Sequence, residues 1–179
     1  MNDSIAIFGA VKEEIAGIKQ AMNISDHVRL GKISAWPGKW GKQDIILVRS
    51  GVGRQRAKDA TLQIIDRFQP RALISTGYAG AVQPGLNVGD LVIANTIIEE
   101  IKGQKQSPDS DWLDRAIGVP SPNGVKKVVG GLLTVDTVIH TSAIKHELGR
   151  KYGVQAVEME TSAIAKVARE KGLPLLSLR

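Results

Sequence analysis

Residues 4–18 read SIAIFGAVKEEIAGI, and this stretch indicates the class of fold. Ser4 to Ala10 is a short apolar run that ends in a glycine turn, which is typical of a buried strand. The acidic pair that follows, together with Ile15 and Ile18, has the spacing of a helix with one apolar face. A strand, a glycine turn and a helix in direct succession predict an α/β unit.

The alternation of strands and helices continues along the chain. Residues 28–35 and 44–49 predict a hairpin with a turn at 36–41, WPGKWG. Further strands are predicted at 72–75, 90–98, 126–134, 155–159 and 175–178, and helices from the glycine turn at 50–53 to Phe68 and over 160–171. Glu100 to Gly124 is predicted to be a long irregular excursion of the kind that forms lids. We therefore predict one α/β domain over residues 1–179, with a mostly parallel mixed central sheet flanked by helices.

The composition excludes several classes of protein. The chain has no cysteine, so disulfides, thiolate zinc sites and cysteine nucleophiles are impossible. Its net charge of +6 is dispersed and aromatic residues are only 4%, which argues against a nucleic-acid partner. The three histidines lack ligand-like spacing, so neither a metal nor another cofactor is expected. No stretch is apolar enough for a membrane span or an export signal, and we expect a cytoplasmic protein.

Three predicted strands end in glycine turns, at Gly9-Ala10, at residues 50–53 and at residues 76–80. Glycine lets the backbone approach a ligand, and the amides at a helix start favour anionic or hydroxyl-rich groups. Any tight α/β connection also needs glycine, so one such turn is weak evidence. Three turns on one side of a sheet favour a ligand site there.

Two pairs of acidic residues are candidates for the chemistry. Glu158 and Glu160 alternate, so in an extended segment they share one face, where two buried like charges would need a ligand or a cation. Alternatively, Glu160 only favours the positive end of the following helix. Glu13 and Glu14 pose the same choice, because acids in a first helical turn are common, yet one could point into the site.

The order of these motifs resembles that of the nucleosidase and nucleoside phosphorylase family, including the methylthioadenosine/S-adenosylhomocysteine nucleosidases. The resemblance runs from about Ser4 to Arg179, and its most specific part is the glutamate-methionine-glutamate segment. The matching stretches are GAVKEEI at 9–15, SGVG at 50–53, TGYAG at 76–80, VGDLV at 88–92 and VEMETSAIA at 157–165.

The resemblance implies hydrolysis of the N-glycosidic bond of a purine nucleoside of the adenosine type, with or without a 5′ modification. Such cleavage needs a held ribose, a nucleophile at the anomeric carbon and a proton for the departing base. Glu14 matches the family glutamate that activates water. Glu160 matches the carboxylate that binds the ribose hydroxyls, and Met159 lies under the sugar.

The resemblance also implies further substrate-binding positions. Glu158 matches a neighbouring site carboxylate, and Ala79 and Gly80 match the turn beside the base and sugar. Val138 falls where the nucleosidases usually place an aromatic ring against the purine. Valine still packs on a ring, but it lacks a stacking contribution of about 0.5–1.5 kcal/mol.

Three other readings stay open at this point. Arg54 and Arg56, beside the second glycine turn, keep a phosphate-dependent phosphorylase as an alternative, although the carboxylates near Gly9 would repel phosphate. A nucleoside-binding protein without turnover is a second alternative. A dinucleotide-binding domain is the weakest, because no Gly-x-Gly-x-x-Gly follows the first strand.

Two departures from the family pattern affect these expectations. Residues 100–124 do not resemble the corresponding nucleosidase segment, so the 5′ group of the substrate cannot be inferred. Arg179 matches an arginine of the family's substrate-binding site. In the family, an aspartate that protonates the base follows that arginine, where this sequence ends. The sequence therefore predicts a C-terminally short chain that binds nucleosides better than it cleaves them, and a homodimer that covers exposed apolar surface.

Overall fold

One sheet of 12 strands runs through residues 3–179, the part of the chain that the computed structural model describes. Five helices accompany it: α1 (Lys12–Ala21), α2 (Arg54–Phe68), α3 (Ser110–Gly118), α4 (Ser142–Tyr152) and α5 (Thr161–Glu170). The strands are β1 (Ile5–Gly9), β2 (Asn23–Ile24), β3 (Val28–Leu30), β4 (Ile33–Trp40), β5 (Gln43–Arg49), β6 (Ala72–Thr76), β7 (Gly80–Ala81), β8 (Leu91–Glu99), β9 (Lys105–Gln106), β10 (Lys127–Thr134), β11 (Val154–Glu158) and β12 (Leu175–Leu178).

The sheet contains two groups of parallel strands. Its order is β2-β4-β5-β1-β6-β12-β8-β10-β11-β7, with β3 beside β4 and β9 beside β8. Strands β5, β1, β6 and β12 are mutually parallel, and so are β8, β10 and β11. The two groups meet where β12 and β8 pair antiparallel. The predicted mixed, mostly parallel α/β sheet is confirmed.

Helices cover both faces of the sheet, because side chains of one strand alternate between them. In β1, Ala6 and Phe8 belong to the apolar core under α2 and α5. Ile5 and Ile7 point the other way, into a cluster with Ile15 of α1. A third cluster joins α4 to β10 and β11. All five residues of β1 are buried, which explains why its sequence is apolar throughout.

The predicted hairpin exists only in part. A turn at Gly31 and Lys32 divides the strand predicted at 28–35 into β3 and the start of β4, which pair antiparallel, and the turn predicted at 36–41 is also wrong. Residues 36–40 continue β4 and pair with β5, so that the chain reverses only at Gly41 and Lys42. Trp36 is buried in the cluster beside α1, and that tertiary contact overrides the turn signal of Pro37 and Gly38. Gly38 is needed for packing, since a Cβ atom there would lie 2.4 Å from the backbone oxygen of Asn23.

Two helices were absent from the sequence prediction. The excursion at 100–124 is not irregular throughout, because it contains β9 and α3, and Asp109 caps α3 by accepting from the Trp112 amide at 3.1 Å. Helix α4 lies between β10 and β11, and Thr141 caps it in the same way. Both helices have many exposed residues, so their apolar periodicity is short. None of the helices within residues 3–179 combines the length and apolarity that a membrane crossing requires.

Candidate active site

A cavity of about 300 Å³ gathers most of the residues that the sequence singled out. It lies where β1, β10 and β11 end and beside β7. Seven of the predicted site residues line it, while the eighth, Arg179, lies behind. The seven are Glu14, Ala79, Gly80, Val138, Glu158, Met159 and Glu160.

The two groups of parallel strands run in opposite directions, yet their ends meet at this cavity. Gly9, at the end of β1, accepts a hydrogen bond from the Ser50 amide at 3.0 Å. Glu158, at the end of β11, bonds to Arg179, which follows β12. The register of β10 is irregular at Gly130/Gly131 against β8 and at Gly131/Leu132 against β11. Such irregularities allow a strand to bend, here toward the cavity.

Glu14 is held in place by three backbone amides. Its Oε2 accepts from the amides of Ala10 at 2.6 Å and Val11 at 3.1 Å, and its Oε1 accepts from the Tyr78 amide at 2.8 Å. Gly77 makes this possible, because a Cβ atom there would lie 2.4 Å from Oε1. The two glycine turns therefore fix one carboxylate at the cavity wall, where it can accept a proton from water.

Glu160 reaches the cavity from the start of α5. Its Oε1 accepts from the Gly53 amide at 2.7 Å, so the turn at 50–53 orients it, and its side chain is buried. Burial raises the pKa of this carboxyl, and the negative charges of Glu158 and Glu14 act in the same direction, against the Gly53 amide and Arg179. A partly desolvated carboxylate of this kind is a strong acceptor for ribose hydroxyls.

Glu158 lines the same cavity, but protein donors saturate its carboxylate. Its Oε1 accepts from Thr134 Oγ1 at 2.6 Å. Its Oε2 accepts from the amides of Glu160 and Thr161, from Thr161 Oγ1 and from Arg179 Nη2, at 2.8–3.0 Å. Burial alone would raise the pKa of Glu158, but the Arg179 guanidinium and these hydrogen bonds hold it below its ordinary value. Its contacts are those of a group that positions α5 and Glu160.

Arg179 lies behind Glu158 and does not line the cavity that contains Glu14 and Glu160. Its side chain is 3% exposed, and its Nη2 donates to Glu158, to Ser75 Oγ at 2.8 Å and to Thr161 Oγ1 at 2.7 Å. It does line a neighbouring cavity of about 720 Å³, which shares Glu14, Tyr78 and Ala79 with the first.

Arg54 and Arg56, which kept the phosphorylase reading open, lie outside this cavity. Arg54 forms a two-pronged pair with Asp136, at 2.6 and 2.7 Å, and a second pair with Glu99. Both arginines line a separate cavity of about 570 Å³. The positive charge of Arg54 is already neutralised by protein carboxylates.

The cavity wall also contains residues that the sequence reasoning missed. Lys145 comes from α4, which was not predicted, and Thr137 and Ile139 come from the loop before it. Thr134, at the end of β10, contributes through its hydrogen bond to Glu158. Only the helical spacing after the Thr141 cap could have pointed to Lys145. Residues 3–179 bring together no group of three or more His, Asp or Glu side chains able to hold a metal ion.

Comparison with known proteins gives one consistent answer. Residues 4–179 match the sequence model of the phosphorylase superfamily. The 5′-methylthioadenosine/S-adenosylhomocysteine nucleosidase of Listeria welshimeri is 30% identical in an alignment 197 residues long, gaps included. The alignment covers 98% of this chain and 84% of the relative. The crystal structure of the Neisseria meningitidis enzyme of the same name, in complex with methylthio-immucillin-A, superposes with a TM-score of 0.89 at 27% identity, covering 99% of this chain and 84% of that one. The structure of the S. pneumoniae enzyme of the same name superposes with a TM-score of 0.91 at 28% identity, covering 98% of this chain and 84% of that one.

Proposed function

The chain belongs to the phosphorylase superfamily, and from that premise we propose that it hydrolyses the N-glycosidic bond of a purine nucleoside. The observation that carries the proposal is the placement of Glu14 and Glu160 on one cavity, each oriented by backbone amides from a different glycine turn. In the reaction, the oxygen of a water molecule bonds to the anomeric carbon as the N-glycosidic bond breaks. One proton of that water passes to Glu14 and the departing base takes up a proton from solvent, so the products are free base and free ribose.

Each predicted site residue has a role in this proposal. Glu14 accepts the proton of the attacking water, since its carboxylate is held rigidly and faces the cavity. Glu160 accepts hydrogen bonds from the ribose hydroxyls, and Met159 packs beneath the sugar. Ala79 and Gly80 lie beside the base and the sugar, and Val138 packs on the base. Glu158 and Arg179 act through Glu160, which they hold in position.

Water is favoured over phosphate as the nucleophile. Glu14 and Glu160 line the cavity without an ion-pair partner in the described part of the chain, and their negative charges would repel a phosphate dianion. The arginines that could have bound phosphate line another cavity, and Arg54 is engaged by Glu99 and Asp136. The named relatives are nucleosidases of 5′-methylthioadenosine and S-adenosylhomocysteine, so adenosine-type nucleosides with 5′ modifications are the first substrates to test.

Product analysis in oxygen-18 water tests the proposal. The purified 179-residue chain is incubated with adenosine, 5′-methylthioadenosine and S-adenosylhomocysteine, with and without phosphate, and the products are identified by mass spectrometry. Free base and ribose that carries one oxygen-18 atom, released without phosphate, would support hydrolysis. Ribose 1-phosphate formed only with phosphate would contradict it in favour of phosphorolysis, and binding without release of base would indicate a nucleoside-binding protein.

We also propose that the chain forms a homodimer around the mouth of this cavity. Three apolar side chains that line it are exposed, between 45% and 69%: Val52, Tyr78 and Val138. A second copy that covers them would also close the cavity to water. Light scattering should give twice the chain mass, and Val138→Asp should reduce it to one chain, while Val119→Asp, a similarly exposed valine elsewhere, should not.

Two coarser features complete the proposal. We treat residues 1–179 as one domain, since α2 and α5 pack under the same continuous sheet as α1 and α4, and limited proteolysis should find no stable smaller fragment. The cytoplasmic location stays a prediction, which cell fractionation would test.

A further inference from the structure

Lys145 is the one cationic residue among those that line the cavity of Glu14 and Glu160. It lies in the first turn of α4 and is partly buried. Its side chain packs across Gly80, because a Cβ atom at Gly80 would lie 3.2 Å from Lys145 Cε and 3.4 Å from Nζ. The ammonium group is therefore directly beside the turn that the proposed function assigns to the base and sugar.

The ammonium of Lys145 has no protein partner within residues 3–179. No carboxylate lies within 4.0 Å of Nζ, and no hydrogen bond engages it. By contrast, the buried Arg179 pairs with Glu158 and the partly buried Arg54 pairs with Glu99. Lys145 thus differs from them in leaving all three of its donors free.

The charges of the cavity are separated along the turn at residues 77–80. The Glu14 carboxylate abuts Gly77 and the Lys145 ammonium abuts Gly80, three residues further on. The Cα atoms of these glycines are at most about 11 Å apart even in extended chain. One nucleoside can therefore place its sugar at the carboxylates and another part of its structure at the ammonium.

A bound nucleoside would remove water from Lys145, and this makes the lysine selective. Burying an ammonium without an acceptor costs free energy, whereas an oxygen acceptor on the ligand replaces the lost water. Sites with a desolvated polar group discriminate strongly against ligands that leave the group unpaired. The 6-amino group of adenine is a donor and cannot pair with an ammonium, whereas a carbonyl oxygen or a carboxylate can.

We propose that Lys145 is a specificity residue that selects nucleosides presenting an oxygen acceptor to it, either the carbonyl oxygen at C6 of a 6-oxopurine or a carboxylate on the 5′ substituent. This inference rests on the proposed function, because it assumes that a nucleoside occupies the cavity. Lys145 acts on binding and takes no part in bond cleavage.

Calorimetric binding of three ligands tests the proposal. Inosine differs from adenosine in the group at C6, and adenosine 5′-carboxylate differs in the 5′ group, so the two ligands distinguish the sources of the oxygen. The 179-residue chain should bind at least one of them about 10-fold or more tightly than adenosine, as expected for a hydrogen bond to a charged group. Lys145→Met should abolish that preference with little change for adenosine, and Lys145→Arg should retain it.

Lys151→Met is the matched control, since it removes the same charge from the same helix at an exposed position away from the cavity. It should leave all three affinities unchanged. Equal affinities in the unmodified chain, tighter binding of adenosine, or a preference that survives Lys145→Met would overturn the proposal. Equal affinities in the unmodified chain would overturn the proposal even if Lys145→Met failed to fold, and Lys145→Arg gives a second variant in which the preference should remain. Tighter binding of inosine or of adenosine 5′-carboxylate without release of base would contradict the hydrolysis and support the role of Lys145. If no nucleoside bound, both the proposed function and the role of Lys145 would be overturned.

Discussion

Replacing Glu158 by glutamine should destabilise the fold far more than loss of an ordinary ion pair. Glutamine has the same shape, and its amide oxygen can still accept the four donors that converge on Oε2. The charge is lost, however, and it leaves the guanidinium of Arg179 unpaired at 3% exposure. Breaking a buried pair in this way costs about 3–5 kcal/mol, out of a total of about 5–15 kcal/mol for a typical domain.

Urea unfolding followed by tryptophan fluorescence measures this loss. Asp44→Asn is the matched control, because the Lys39–Asp44 pair is 57% and 50% exposed and should contribute less than about 1 kcal/mol. The double variant Glu158→Gln/Arg179→Met should recover part of the loss, since it removes the unpaired charge. A loss for Glu158→Gln no larger than that for Asp44→Asn would refute the reasoning.

The same pair predicts how stability depends on pH. The folded-state pKa of Glu158 is lowered, so its contribution to stability is present above the unfolded-state pKa and is lost as pH falls through the folded-state pKa. The difference in unfolding free energy between the unmodified chain and Glu158→Gln should therefore shrink on acidification. A difference that stays constant down to acid pH would contradict the assigned ion pair.

Three further predictions concern the cavity. Glu160→Gln should weaken nucleoside binding about 10-fold or more. Because the pKa of Glu160 is raised, the affinity of the unmodified chain should fall as the pH drops toward that pKa. The variant should not show this pH dependence. Glu14→Gln should reduce base release about 10²–10⁴-fold with binding retained, whereas the exposed neighbour variant Glu13→Gln should match the unmodified rate. Gly77→Ala should displace Glu14 and reduce base release as strongly as Glu14→Gln does. Gly41 also has a positive φ but has open space around it, so Gly41→Ala should lower stability only. Equal rates of base release in the two glycine variants would contradict the contact between Gly77 and Glu14.

The strands were the most predictable part of the fold. Strand β12 has the bounds that the sequence indicated, and β1 and β6 differ from the prediction by a residue or two. These strands are largely buried, so their sequences are mostly apolar and end at glycines or polar residues. Helix α4 and the turn after β4 were not predictable in this way, because α4 has few buried positions and Trp36 joins β4 through a tertiary contact.

The candidate site divides in a similar way. The spacing of Glu158 and Glu160 indicated that two carboxylates share a site, but it did not distinguish their roles. The structure separates them, since Glu158 accepts five hydrogen bonds from the protein while Glu160 is oriented by Gly53 and adjoins open space. That difference depends on Arg179 and Thr134, which lie more than 20 residues away in sequence.

The sequence by itself determined the class of fold, the family and the acidic residues of the site, because apolar periodicity, glycine turns and a specific motif are local properties of the chain. Only the tertiary structure decided which charges are neutralised and which are left to a ligand. Arg54, Arg179 and Lys145 are all cations, yet the first two are paired with carboxylates from distant strands and the third faces the cavity unpaired. The physical reason is that electrostatic pairing depends on distance in space, and the pairing of β10 with its neighbours and the packing of α4 set those distances only in the folded chain.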